Sequence, residues 1–408
     1  MILEIIIALL LGCTIGTFTG LTPGIHINLI AVMITASTGF LLQFFSPLSL
    51  AVFIIAMSIT HTFLDFIPSI FLGAPDEDSI LSILPGHQLL LKGQGYYALV
   101  YTLYGSLSAL GIILFFTPLF VLFLPKIYSI VEKYIGYLLI LFCFYLIISE
   151  KDKKGDSLII FLLAGALGVA TVNLNIKEPL LPLLTGLFGA SMVVTSMYEK
   201  TKIPIQKTAP LNQITLTTKS FIKAVSASIL AAPCTAFLPG LGASQAAIMG
   251  KQTIGIEDQR EFLFLVGALN TIAMGLSFIT LYTIGKTRTG SAVAVMKLLT
   301  EFSPKIVAIT LVTIGGAGII AFGIAIFLST FIAKKISTIN YQKLSQLVLG
   351  ILVVMTTLFT DNTFGGRVLG LTVFTTATML GIIAVQKNVK RSNLMGCLLV
   401  PTIAYYII

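Results

Sequence analysis

From Ile5 to Leu64 the chain carries no Asp, Glu, Lys or Arg, and that one interval excludes most folds. A water-soluble domain devotes about a quarter of its positions to charge. Here the share is 10%, against 56% hydrophobic residues in a chain of 408. A helix needs roughly 20 apolar residues to cross a bilayer. Uncharged intervals of that kind recur at 93–125, 134–149, 157–176, 179–198, 224–250, 262–285, 306–333, 344–360, 368–386 and 392–408. The chain therefore reads as an all-α polytopic membrane protein, multi-pass in the cell membrane and with the lipid bilayer as its main neighbour. Soluble enzymes and nucleic-acid binders are excluded, and the net charge of +9 is read as loop orientation rather than as an acidic partner. Cys13, Cys143, Cys234 and Cys397 are far apart inside apolar runs and read as inert thiols.

Two intervals are broken by a Pro-Gly pair, at Pro23-Gly24 and at Pro239-Gly240. Proline removes a backbone donor and glycine frees the dihedrals, so each pair should end one helix and start another. Both are expected to be re-entrant hairpins with their tips at membrane depth, where irregular backbone must be enclosed by protein or line a cavity. Gly20-Leu-Thr-Pro-Gly-Ile matches Ala236-Phe-Leu-Pro-Gly-Leu, and the segment from Phe71 to Ser79 matches that from Thr283 to Ser291. Each half then holds a hairpin and about five transmembrane helices, an odd number, so the second copy should be inverted. The expected division is repeat 1 over 1–198, a cytoplasmic connector over 199–216 and repeat 2 over 217–408. With the connector inside, 17 of the 25 Lys and Arg fall on the inner face, which satisfies the positive-inside rule and puts the N-terminus outside. Inverted repeats with discontinuous helices are the architecture of secondary transporters.

Candidate substrate-binding residues cluster at the breaks. A helix that begins at a buried tip aims unpaired N–H groups and the positive end of its dipole into the cavity, which makes an anion site. This singles out Pro23, Gly24 and Asn28 at the first tip, and Pro239, Gly240, Gly242, Ser244 and Gln245 at the second. Gly73 and Ser79 bound an acidic segment; Lys286, Arg288, Thr289, Gly290 and Ser291 form its basic counterpart, where Arg offers bidentate geometry to a carboxylate or phosphate. Asp65 lies inside the third apolar run four residues after His61, so the two share a helix face. An ionisable residue inside a span marks an ion, proton or substrate path, and the pair is the candidate coupling-ion site. Asn270 stands at the matching place in the second half. There is no enzymatic constellation and no cofactor motif, so the chain is read as a non-enzyme whose only small ion is a coupling Na+ or H+.

At these motifs the chain resembles the TctA-type membrane subunit of tripartite tricarboxylate transporters, and more closely the stand-alone prokaryotic relatives. The resemblance is carried by Gly20-Leu-Thr-Pro-Gly24, Ser69-Ile-Phe-Leu-Gly-Ala-Pro75, Leu84-Pro-Gly86, Lys92-Gly-Gln-Gly95, Leu238-Pro-Gly-Leu-Gly242 and Thr283-Ile-Gly285. It implies ion-driven uptake of di- or tricarboxylates, and in typical members a small membrane subunit and an external binding protein as partners. The family's acidic, Asn-rich stretch is reduced here to Gly267-Ala-Leu-Asn270, and Lys286-Thr-Arg-Thr-Gly-Ser291 replaces its apolar counterpart. The expected function is a secondary active permease for a small anionic substrate, working by alternating access, with a homodimer as a possible assembly. A translocase of an anionic lipid such as a polyprenyl phosphate is the alternative.

Overall fold

The computed structural model describes residues 2–22, 41–72, 83–148, 153–198, 203–237, 242–286, 289–299, 302–338 and 340–407. Among them every regular element is helical, and eight helices are long and apolar enough to cross a membrane. α1 (Ile2–Leu21) and α2 (Pro47–Leu64) run parallel. Their starts are tied together, because Glu4 Oε1 accepts from Ser46 N at 2.8 Å. Ser46 is also the N-cap of α2, with Pro47 in its first turn, a pairing that supplies a side-chain acceptor and a preset φ. Gly12, Gly16 and Gly20 fall on one face of α1. A Cβ at Gly12 or Gly16 would lie 2.5 Å from the carbonyl of Phe53 or Met57, and this spacing of small residues lets two helix backbones approach. The predicted tip at Pro23 and Gly24, with His26 and Asn28, lies outside the described residues.

α2 ends at its C-cap Asp65, and α3 (Phe66–Leu72) begins directly after it. α4 (Ile83–Leu91) and α5 (Gly95–Val131) follow. The Lys92-Gly-Gln-Gly95 motif forms the turn between them, with Gly93 at φ +74, a backbone that favours glycine. This turn receives the connector. Gly95 N donates to Gln206 Oε1 at 2.8 Å, Gln206 Nε2 to Leu90 O at 3.0 Å, and Lys207 N to Gly93 O at 2.8 Å. Residues 206 and 207 are thus strapped to the turn between α4 and α5.

α6 (Ile135–Ile148) and α7 (Lys154–Val172) lead to a broken helix: α8 (Leu180–Leu184), a π turn over Thr185–Ala190, and α9 (Ser191–Tyr198). Beyond the connector come α10 (Thr218–Phe237) and α11 (Ala243–Ile254). They pack antiparallel: Lys223 Nζ donates to Gly255 O at 2.6 Å at the open end, and Gly250 lies against Ala227. Pro239 and Gly240, at the predicted second tip, are outside the described residues. α12 (Gln259–Ile284), α13 (Gly290–Leu298), α14 (Pro304–Ile336), α15 (Tyr341–Phe359), α16 (Phe364–Gln386) and α17 (Gly396–Ile407) complete the chain.

Two elements occupy the centre. α2–α3 and α12 are buried along nearly their whole length, whereas the surrounding spans expose large apolar side chains such as Phe115 at 81% and Phe364 at 84%, as lipid contact requires. α2 packs against α1 and α14, α12 against α5 and α10, and the two central helices touch each other.

At one end of the bundle Asp361 holds two loops together. Its carboxylate accepts from Thr363 N at 2.7 Å, Thr363 Oγ1 at 2.8 Å and Lys177 N at 3.1 Å. The Thr363 amide, then its hydroxyl, hold the carboxyl below the ordinary aspartate range, with burial opposing them. A folded pKa below the unfolded one adds stability at pH above the unfolded value, and this is lost as pH falls through the folded value. Wild-type protein is therefore expected to lose its stability margin over Asp361→Asn on acidification below about pH 4. Thermal denaturation of both in detergent across roughly pH 3 to 6 checks this, and a margin independent of pH would refute it.

Candidate functional site

The centre of the molecule is polar because both central helices carry polar side chains where they meet. Pro68, inside α3, has no N–H, so the Leu64 carbonyl four residues earlier receives no helical donor. The irregularity falls beside Asp65, whose own N–H and carbonyl still pair with His61 O at 3.0 Å and Ser69 N at 3.3 Å. Asp65 is 3% exposed, and its Oδ2 accepts from Asn270 Nδ2 at 2.8 Å. The same amide reaches the Thr62 carbonyl at 3.3 Å, and the Thr62 and Thr271 hydroxyls stand 3.2 Å apart. Ser69 Oγ donates back to the Asp65 carbonyl at 2.8 Å. His61, on the same helix, has its Nδ1 3.0 Å from Thr19 Oγ1 on α1. A buried carboxylate, hydroxyls and a carbonyl freed by proline form a donor set suited to a proton or a small hard cation.

Of the segments flanking this centre, Thr289 is the N-cap of α13: its Oγ1 accepts from Ala292 N at 3.2 Å and lies 3.0 Å from Ser277 Oγ on α12. α13 turns back into the protein against α2. It starts at Gly290 and buries Ser291 completely. Ser291 Oγ has no hydrogen-bond partner among the described residues. Lys286 lies elsewhere, exposed at the end of α12. Its Nζ is 2.5 Å from Glu132 Oε1 and 2.7 Å from Tyr128 Oη. Glu132, then Tyr128, hold the ammonium above the ordinary lysine range, so its charge is already matched. Arg288, Gly73 and Ser79, and the acidic residues 76–78, lie outside the described residues.

At the second tip, Gly242 is the N-cap of α11, and Ser244 and Gln245 are buried in its first turn. Gln245 Nε2 lies 3.2 Å from Met395 Sδ. That contact brings α11 to the turn before α17 and to a residue the sequence reading passed over. Arg391 is partly buried there, with Nη1 donating to Phe188 O at 3.2 Å and Nη2 3.2 Å from Met192 Sδ. Burial pushes its pKa down to about 10, which leaves it charged at neutral pH. The sequence signal was hidden in the basic run from Lys387 to Arg391, which the orientation rule had already absorbed. Thr19 and Ser277, which hold His61 and Thr289, were equally unmarked.

A shell of lipid-length helices around two buried helices, joined by a carboxylate–amide pair, defines a multi-pass helical membrane protein with a polar centre. The chain belongs to the tripartite tricarboxylate transporter TctA family, which it matches over residues 6–396. It is also 30% identical over 410 residues to an uncharacterized protein of Methanocaldococcus jannaschii, covering 98% of each chain. No solved structure matches it.

Proposed function

We propose that the protein is a secondary carrier of small organic anions, di- or tricarboxylates, coupled at Asp65 to a sodium or proton gradient. The observation that carries this reading is the Asp65–Asn270 hydrogen bond. It joins the two central helices at the break in one of them, so loading a cation or proton on the carboxylate changes the contact between the halves. Two inverted repeats account for the packing. The central elements Pro47–Leu72 and Gln259–Ile284 each span 26 residues. α2 packs on α14 of the other half, as α12 packs on α5, and α7 on α17, as the π turn packs on α16. The antiparallel pair α10 and α11 stands as the hairpin of the second half. Movement of one such half against the other gives alternating access. The family's three-part transporters make partner subunits a matching expectation.

The test is a thermal-shift panel on the detergent-purified chain with citrate, succinate and a short-chain polyprenyl phosphate, each with and without sodium and at two pH values. A ligand at 100 times its Kd raises stability by about 2.7 kcal/mol. Stabilisation by a carboxylate that depends on sodium or pH is the expected result. Stabilisation by the lipid phosphate alone would replace the carrier with a lipid translocase.

A further inference from the structure

Arg391 stands out among the cations of this molecule for what surrounds it. It opens the 3-10 stretch Arg391–Met395 between α16 and α17. Among the described residues its guanidinium meets a carbonyl and a thioether. Among the described residues no carboxylate lies within ion-pair distance of it; Glu132, Asp156 and Glu261 pair with lysines instead. The Phe188 carbonyl that it meets belongs to the π turn over Thr185–Ala190, an irregularity that is rare and is frequent at functional sites. His87 lies within electrostatic reach of the guanidinium, and burial pushes its imidazole pKa down, so it brings no opposite charge to Arg391. A partly desolvated charge that lacks an opposite charge is costly to a fold.

Gln245 supplies an independent observation. It is 2% exposed, and its Oε1 has no hydrogen-bond partner among the described residues. Turning that amide over presents its NH2 group in the same place, since the two ends are nearly isosteric. The site is also connected to the polar centre. His87 hydrogen-bonds the backbone at Ile70, five residues beyond Asp65, or about 7.5 Å along a helix.

We propose that Arg391 is an anion-recognition residue, whose guanidinium takes one carboxylate of the transported di- or tricarboxylate while the Gln245 amide donates beside it. The inference rests on the carrier reading above and deepens it by placing the anion's counter-charge at α16–α17. An Arg fork matches a carboxylate with two parallel N–H···O bonds. Bound anion then supplies the negative charge that no described residue places beside the guanidinium.

The experiment is citrate and succinate binding, by titration calorimetry and thermal shift, to wild type, Arg391→Gln and Arg391→Lys. Arg391→Gln should raise the apparent Kd at least about tenfold, the effect of losing a single charge-assisted hydrogen bond. Arg391→Lys, which keeps the charge and loses the fork, should fall between. The unliganded Tm of Arg391→Gln should hold or rise, because an uncompensated charge has been removed. A fall in that Tm with unchanged affinity would make Arg391 a structural residue and overturn the proposal. If Arg391→Gln fails to fold, Arg391→Lys decides, and an unchanged Kd in it has the same consequence. Wild-type protein that binds neither carboxylate overturns the carrier reading itself and this inference with it. Binding by wild type alongside equal binding by Arg391→Gln overturns only the inference.

Discussion

Asp65→Asn is expected to abolish ion-dependent accumulation of the anion in proteoliposomes while the protein still inserts and folds. The amide that replaces the carboxylate can still pair with Asn270 at the 2.8 Å separation seen for Asp65 Oδ2, so the helix contact survives. What is lost is the negative charge. A charge-assisted contact worth about 3 kcal/mol corresponds to roughly 100-fold in ion affinity, enough to uncouple transport from a physiological gradient. Gradient-driven uptake at the wild-type rate would remove Asp65 from the coupling role. The partner behaves differently. Asn270→Leu takes a donor from a buried carboxyl group and should destabilise by about 1–3 kcal/mol if that group is neutral, more if it is charged. The two variants together separate coupling from architecture, since one should lose transport at constant Tm and the other should lose Tm.

Gly105→Val is expected to be the most destabilising single substitution in the membrane core. α5 and α12 touch backbone to backbone. A Cβ at Gly105 would land on the Phe264 carbonyl, and one at Gly267 on the Thr102 carbonyl. Ser106 Oγ locks the same contact by donating to Gly267 O at 3.0 Å. Carbonyl groups held in helices cannot swing aside as a flexible side chain can, so valine must push the helices apart. Overpacking of this kind costs about 3 kcal/mol or more. It should also impair transport, because Gly267 lies one turn from Asn270 and any shift of α12 pulls the amide from Asp65. Gly111→Val on the same helix is the control, because a Cβ there meets nothing within 4 Å. Equal Tm losses for the two variants in detergent would show that helix propensity, not the close approach, is responsible.

Much of this architecture was legible before the fold was known. Charge-free intervals locate the spans, because an unpaired charge in hydrocarbon costs several kcal/mol and sequences avoid it. Ser46-Pro47 marks the start of α2, since the chemistry of a cap is local. Asp65 was visible for the same reason, as a carboxylate in an otherwise apolar run. Its partner could only be suggested from the repeat, since Asn270 is 205 residues away. The Pro-Gly pairs read as breaks in the sequence, and Pro23, Gly24, Pro239 and Gly240 lie outside the described residues.

Other features depend on which helices approach one another. Lys286 looks like a substrate cation in the sequence, yet Glu132, 154 residues distant, stands against it. Arg391 looks like one more basic loop residue, yet a π turn in another part of the chain seats its guanidinium, with no carboxylate at ion-pair distance among the described residues. Sequence by itself determined where the chain is apolar and that Asp65 lies within an apolar run, because desolvation acts within a few residues. Tertiary structure alone decided which charges are matched, as Lys286 is by Glu132. Those pairings follow from helix approach at glycine contacts such as Gly105 with Phe264, and no local stretch of sequence encodes them.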